Sequence, residues 1–397
     1  MPMCLSRRET LLGLSTLLAT GPVRVAFAAA ETEQRFVVVL LRGALDGLAA
    51  VVPYGDANLR GLRAGLLPGP PGSRGGILEL GGFYGLHPAL SGLHGMYRDG
   101  ALLVVHAIAG PYRTRSHFEA QDLLQTGTVE NSITSGWLNR VLAELPGGSG
   151  DGLGLAVGMD MPLLLRGTAR VGSYAPAMFA SPSPDLYRRI ATLNAADPLL
   201  GPAIADGLRE RHFDAEVLDA DGEREHEVGV SGFARLATAA GKLLAAPDGP
   251  RIAAFQLEGW DTHANQAALL RTPLAGLDAG LVALKSALGA AWAETAVLII
   301  TEFGRTARMN GTHGTDHGTA TIAFLVGGRV AGGRVKATWP GLGPGQLYQK
   351  RDLEPTADIR ALAKGVLAEQ FGLSQAALLR VFPGSAEAEA MRGLLRG

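Results

Sequence analysis

Two short segments of this chain pair a carboxylate with an imidazole: Asp261-Thr262-His263 and Asp316-His317. Held close together, such groups can bind one divalent ion. Neutral imidazole suits zinc, and carboxylate also admits manganese or magnesium. The same residues have a plainer use, in which Asp261 caps a helix, His263 packs beside it and Asp316 orients His317. His313 is a weaker ligand candidate in the same Gly/Thr-rich stretch. Ser116 stands before a helical pattern at His117–Leu124, where free N–H groups and the helix dipole favour an anion or a nucleophilic oxygen. Arg113 and Arg115 add positive charge there, and Thr114 is an alternative nucleophile. Ser116 with Glu119 also fits a capping box outright. Asp46 reads as a metal ligand or a turn former. Glu302 and Arg305 read as an internal ion pair, or as a metal ligand and a holder of an oxyanion.

These residues follow short apolar runs: Arg35–Leu41, Ala101–Ala107, Arg251–Leu257 and Ala296–Thr301, with a further run at Thr321–Val326. Continuous apolar runs suit strands buried on both faces, as in a parallel sheet. Helical patterns lie between them, at Ala89–Tyr97, His117–Leu124, Phe233–Leu244, Ala264–Leu288 and Ile359–Phe371. The alternation predicts an α/β protein, a layered αβα sandwich around a mainly parallel central sheet. Ligands of open α/β sheets bind beyond the carboxyl ends of the strands, and the polar loops cluster on that expected edge. Residues 125–230 break the rhythm with Gly-rich and charged stretches and read as an insertion or cap.

Composition narrows the function classes. With 36 Lys+Arg against 37 Asp+Glu, the chain lacks the basic excess that nucleic acid requires. No G-x-G-x-x-G with its acidic partner and no Walker-type loop occurs, so nucleotide cofactors are unsupported.

Residues 1–30 carry a basic start at Arg7-Arg8, an apolar stretch from Leu11 to Ala19 and small residues before Ala30, the three parts of a secretory signal. Ser6-Arg7-Arg8-Glu9-Thr10-Leu11 resembles the twin-arginine export motif, with Thr10 where an aromatic is usual. Cleavage is expected after Ala28 or Ala30, leaving residues 31–397 as one domain in the periplasm or outside the cell. Cys4, the only cysteine, would leave with the signal, so the mature chain has no disulfide. No later stretch is expected to supply the about 20 apolar residues of a membrane span.

The ordered segments RGALDGL (42–48), PYRTRSHFEAQD (111–122), GWLNR (136–140), LEGWDTHANQ (257–266), TEFGRT (301–306) and GTDHGTA (314–320) resemble an uncharacterised bacterial family exported by the twin-arginine route. That family is grouped with the alkaline phosphatase/sulfatase superfamily, and the resemblance covers nearly the whole mature chain. It implies hydrolysis of phosphate or sulfate esters, or phosphoryl transfer, with one or two metal ions and an attacking Ser, Thr or modified Cys. By motif, Asp46 matches the carboxylate after the first strand, and Ser116 or Thr114 matches the nucleophile. Asp261, His263 and His317 resemble ligands of the first metal, and Glu302 stands where an Asp-His pair would serve the second. Three departures stand out. Glu302-Phe303 replaces Asp-His, Asp261-x-His263 is tighter than usual, and no Cys-x-Pro/Ala-x-Arg sequence exists for a modified cysteine.

The sequence is therefore read as an exported metal-dependent hydrolase of a small anionic ester. Ser116 is its nucleophile, and Arg115 or Arg305 holds the anion. Zn, Mn or Mg would be bound by Asp46, Asp261, His263, Glu302, Asp316 and His317. The alternative is a non-catalytic exported protein that keeps the fold and binds an extracytoplasmic partner protein.

Overall fold

The computed structural model describes residues 32–129, 133–145, 152–158, 160–175, 184–194 and 232–397, with isolated positions 197, 201 and 204. The expected signal at 1–30 and about half of the expected insertion at 125–230, including all of 205–230, lie outside the described residues.

The strands, in chain order, are β1 (Arg35–Leu41), β2 (Val51–Val52), β3 (Leu78–Leu80), β4 (Tyr84–Leu86), β5 (Leu102–Ala109), β6 (Gly154–Val157), β7 (Val171–Tyr174), β8 (Ile252–Leu257), β9 (Thr295–Thr301), β10 (Thr321–Val326), β11 (Arg334–Lys336) and β12 (Ala357–Asp358). Nine of them form the central sheet, ordered β11-β5-β10-β9-β1-β8-β6-β7 with β12 also on β5. β2, β4 and β3 make a small separate antiparallel sheet. All described pairings in the central sheet are parallel except those of β10, which runs antiparallel to both β5 and β9.

The apolar runs are continuous because both faces of the sheet are covered. Along β1, Val37, Val39 and Leu41 enter one core while Phe36, Val38 and Leu40 enter the other. The first core receives the apolar faces of helices Ser91–Arg98, Gly232–Ala245 and Arg271–Leu288; the second receives Trp137–Glu144, Ile359–Phe371 and Gln375–Val381. A strand with period-two side chains can fill two cores only if every position is apolar. The result is the layered αβα arrangement.

Two differences from the sequence reading have physical causes. The described part of 125–230 supplies β6 and β7, which extend the sheet beside β8 rather than capping it. Strands of four residues containing Gly (GLAV and VGSY) carry too little apolar periodicity to announce themselves. The 29-residue segment Gln266–Glu294 does have the length and apolarity of a membrane span, with a mean hydropathy of 1.4 over its most apolar 18 residues. Here it lies along the sheet, with Leu274, Leu277, Leu281, Leu284 and Leu288 buried at helical spacing in the first core.

The topology also sets the functional edge. β1, β5, β8 and β9 share one direction, so the loops after them emerge at one end of the sheet. The antiparallel β10 starts at that same end, which returns residues 314–320 to it.

Candidate metal centre

At this edge three imidazoles and one carboxylate converge. Nε2 of His117 lies 3.0 Å from Nε2 of His317, and Nε2 of His263 lies 3.0 Å from the same atom. Asp261 Oδ1 is 3.0 Å from His263 Nε2 and 3.4 Å from His317 Nε2, while Asp261 Oδ2 is 3.6 Å from His117 Nε2. Ligand atoms of His117, Asp261 and His317 all fall within 4.8 Å of one another.

Each ring is aimed by an oxygen behind it. His117 Nδ1 is 2.8 Å from Glu302 Oε1, His317 Nδ1 is 3.1 Å from the Arg115 carbonyl oxygen, and His263 Nδ1 is 3.6 Å from Asp316 Oδ1. A carbonyl and a carboxylate only accept, so the Nδ1–H groups of His317 and His117 donate to them. In neutral rings this leaves both Nε2 atoms as bare lone pairs, 3.0 Å apart and facing one another. Such an array repels itself unless a proton or a metal cation stands between the rings, and carboxylate or carbonyl support behind a histidine is the arrangement that orients metal-bound imidazoles. Three nitrogens and one oxygen make a donor set suited to zinc and to other divalent first-row ions.

Charge within the cluster is consistent with this. Burial pushes the Asp261 carboxyl up, but hydrogen bonding and charge from Arg305, with His263 and His117 beside it, hold it below the usual carboxylate value. Burial also raises Glu302, and hydrogen bonds from His117, Gln121 and Thr301 outweigh it, holding its carboxyl below the usual value. His317 is lowered, chiefly by burial, with the charges of His117 and Arg305 adding to it against the opposing Arg115 carbonyl bond and Asp261. The shift favours the neutral ring, the form that could coordinate an ion.

His117 is the residue that sequence reading passed over, treating it only as a helix start. Its signal lay in its place after β5 and in Gln121 one turn on, which donates to the same Glu302 oxygen at 3.0 Å.

The other expected site residues have different work. Asp46 is fully buried and away from the cluster; both its oxygens face Arg63 Nη1 at 2.9 and 2.8 Å, Gln266 donates to it at 2.6 Å, and it caps Gly47–Ala50. Its lone pairs are consumed, so it is not available to a metal. Glu302, 4% exposed, accepts from Gly43 N–H and Gln121 as well as His117, so its oxygens are engaged in positioning His117. Asp316 stands behind His263, not His317, and accepts from Asn310 at 3.1 Å.

Arg305 is 1% exposed and donates to the carbonyls of Ala44, Gly43, Thr315 and Trp260 and to Asp261. It laces four loops together and has no donor to offer an oxyanion. Arg115 is paired with buried Asp352 through Nε at 2.9 Å and Nη2 at 2.6 Å. Its backbone is left-handed, at φ 65°, and its carbonyl rather than its guanidinium serves the site.

Ser116 occupies the N-cap of the ten-residue helix His117–Thr126, but its side chain makes no capping bond and Glu119 instead accepts from Tyr112. The capping box is not formed. The hydroxyl stands in the chain between two residues that touch the cluster, Arg115 and His117. Thr114 is exposed, and His313, at φ 57°, lies outside the convergent group.

The loops approach closely. A Cβ on Gly314 would stand 2.2 Å from the His263 carbonyl, and one on Gly43, at φ +119°, would stand 2.7 Å from the Asp261 amide nitrogen. Glycine at both positions lets the loops that carry the ligands touch.

Fold and site together define a layered α/β protein with a convergent His/Asp centre at the carboxyl edge of its sheet. The chain belongs to the family described as "Protein of unknown function (DUF1501)", which matches residues 107–382. No curated protein matches it. Among solved structures it is similar to Ps i-CgsB in complex with k-i-k-neocarrahexaose, at 12% identity over 90% of this chain and 77% of that one, TM-score 0.42. It is also similar to the C-terminal periplasmic domain of EcEptC from Escherichia coli in complex with Zn, at 10% identity over 77% and 76%, TM-score 0.35. A third is the phosphonate monoester hydrolase of Agrobacterium radiobacter, at 10% identity over 86% and 74%, TM-score 0.38.

Proposed function

We propose that this chain is a metal-dependent hydrolase of phosphate or similar oxyanion esters, acting outside the cytoplasm on a small anionic substrate. The observation that carries the reading is the convergence of His117, His263 and His317 Nε2 with the Asp261 carboxylate, each ring backed by an oxygen. These four residues would hold one divalent ion. Asp46 and Glu302, the residues expected to serve a second ion, are bound to Arg63 and His117. When bound, the ion supplies Lewis-acid stabilisation of the ester's developing charge.

Ser116 is the nucleophile in this reading. Its oxygen bonds to phosphorus, the ester oxygen leaves as the alcohol with the proton that Ser116 gives up, and water then cleaves the phosphoserine to restore the hydroxyl. The N–H groups at the start of His117–Thr126 bind the anion, since Arg305 has every donor engaged and Arg115 is paired with Asp352. Glu302 keeps His117 in one orientation, and the Arg115 carbonyl does the same for His317.

A second reading, a non-catalytic exported binding protein, is favoured by one observation. The Phe303 ring lies tilted against both rings, its centroid 4.9 Å from His117 and 5.2 Å from His317, where an imidazole for a second ion would be expected.

Elemental analysis of the purified protein beside the His117→Ala and His317→Ala variants separates the two. About one equivalent of zinc or manganese, lost in both variants, together with phosphate-ester hydrolysis lost in Ser116→Ala, is the expected result. No metal, even after zinc or manganese is added, would sink the hydrolase and leave the binding protein.

A further inference from the structure

A cleft of about 700 Å³ opens beside the cluster. That volume falls in the range of small-molecule sites, roughly 300–1,000 Å³. None of the four converging residues lines it, and it meets the centre through neighbours that hold the backbones of two of them. Asn310 and Asp316 line it and stand behind His263, Asn310 donating to the His263 carbonyl at 2.9 Å. Arg351 lines it and donates from Nη2 to the His317 carbonyl at 2.7 Å.

The lining has two characters. Leu62, Met309, Leu342 and Leu347 give it an apolar wall. Arg308, Lys350 and Arg351 give it positive charge, against Asp316 as the one acidic residue in the lining. Asp316 is already engaged by Asn310 and lies beside His263. Arg308 and Lys350 are exposed, and among the described residues neither side chain has an acidic partner. Lys350 also adopts a left-handed backbone at φ 58°, next to Gln349 at φ 51°, so the loop that presents it is held in a sparsely populated conformation. Free cations over an apolar wall attract a ligand with both properties.

We propose that this cleft receives the body of the substrate, an apolar group bearing a second anionic group besides the ester at the metal centre. Arg308 and Lys350 meet that second charge, and the leucine and methionine side chains cover the apolar part. The word substrate rests on the hydrolase reading; the binding preference of the cleft does not.

The probe is 8-anilinonaphthalene-1-sulfonate, an apolar anion, with N-phenyl-1-naphthylamine as its uncharged counterpart. Fluorescence titration is run on intact protein with and without added zinc, and on the Arg308→Ala/Lys350→Ala double variant. The sulfonate is expected to bind with one-site stoichiometry, and the double variant to bind it about tenfold more weakly, the scale of two exposed charge contacts. Affinity for the uncharged counterpart stays the same in both proteins. Added salt weakens the sulfonate alone, which tests the charge contribution without any substitution. Equal affinity of the variant for the sulfonate, or a wild-type affinity indifferent to salt, overturns the assignment. Metal content is read on the same samples, so its absence overturns the hydrolase reading alone.

Discussion

Oε1 of Glu302, immediately after β9, lies 2.8 Å from Nδ1 of His117, the first residue of a helix that follows β5. The carboxylate fixes which ring nitrogen carries hydrogen and turns the other toward Asp261 and His317. Glu302→Gln keeps the shape and removes the charge. Metal affinity should fall by about 10–100-fold, the range for oxygen partners behind a metal-bound histidine, with little change in fold. Competition with a chelating dye measures it, and undiminished affinity would return Glu302 to a purely architectural role.

Asp46 gives the opposite result. Its ion pair with Arg63 is completely enclosed, with side-chain exposures of 1% and 0%. Asp46→Asn leaves a buried guanidinium without its counter-charge and should cost about 3–5 kcal/mol of stability. Urea unfolding reads the loss. The folded fraction should retain its full metal content, which a ligand substitution would not.

Acid should weaken the fold through His106. This residue of β5 is fully buried, with Nε2 3.0 Å from the Val51 carbonyl oxygen and Nδ1 accepting from Ala107 N–H. Burial lowers its pKa to about 4, against smaller opposing effects of the Val51 bond and Asp46. The unfolded chain, with an ordinary histidine near 6.5, takes up the proton first. The stabilisation is complete above that pH and is lost as pH falls from about 6.5 toward 4, by up to about 3 kcal/mol for this group. His106→Gln should flatten this part of the stability–pH curve in denaturant titrations, and an unchanged slope would place the dependence elsewhere.

Gly314→Ala should disturb the centre through the backbone of His263, without altering any of the converging side chains. The added methyl would meet the backbone of His263 and Ala264 and push the two loops apart. Overpacking of this kind costs about 1–3 kcal/mol. Metal affinity should drop with it, and a variant that is less stable yet binds metal normally would show that the loops can separate without moving His263.

Much of the framework is legible in the residues themselves. Strands such as RFVVVLL and TAVLIIT face two cores, so every position between their ends must be apolar, and that requirement is written locally. The helix Ile359–Phe371 falls where its pattern places it. Asp261, His263 and His317 are equally visible because they sit in short polar loops directly before or after such strands.

What each polar residue does was decided by the tertiary structure. Asp46, Glu302 and Arg305 have the same residue types whether they hold a metal, an anion or a neighbouring loop. His117 is 185 residues from the carboxylate that aims it and 200 from the imidazole it faces. Sequence by itself determines which side chains can donate, accept or ligate. Packing determines which lone pairs are already taken, because hydrogen bonds and ion pairs are satisfied across the whole sheet edge at once. The buried Arg63 consumes Asp46 and the loop carbonyls consume Arg305, and that accounting leaves three imidazoles and Asp261 converging on one another.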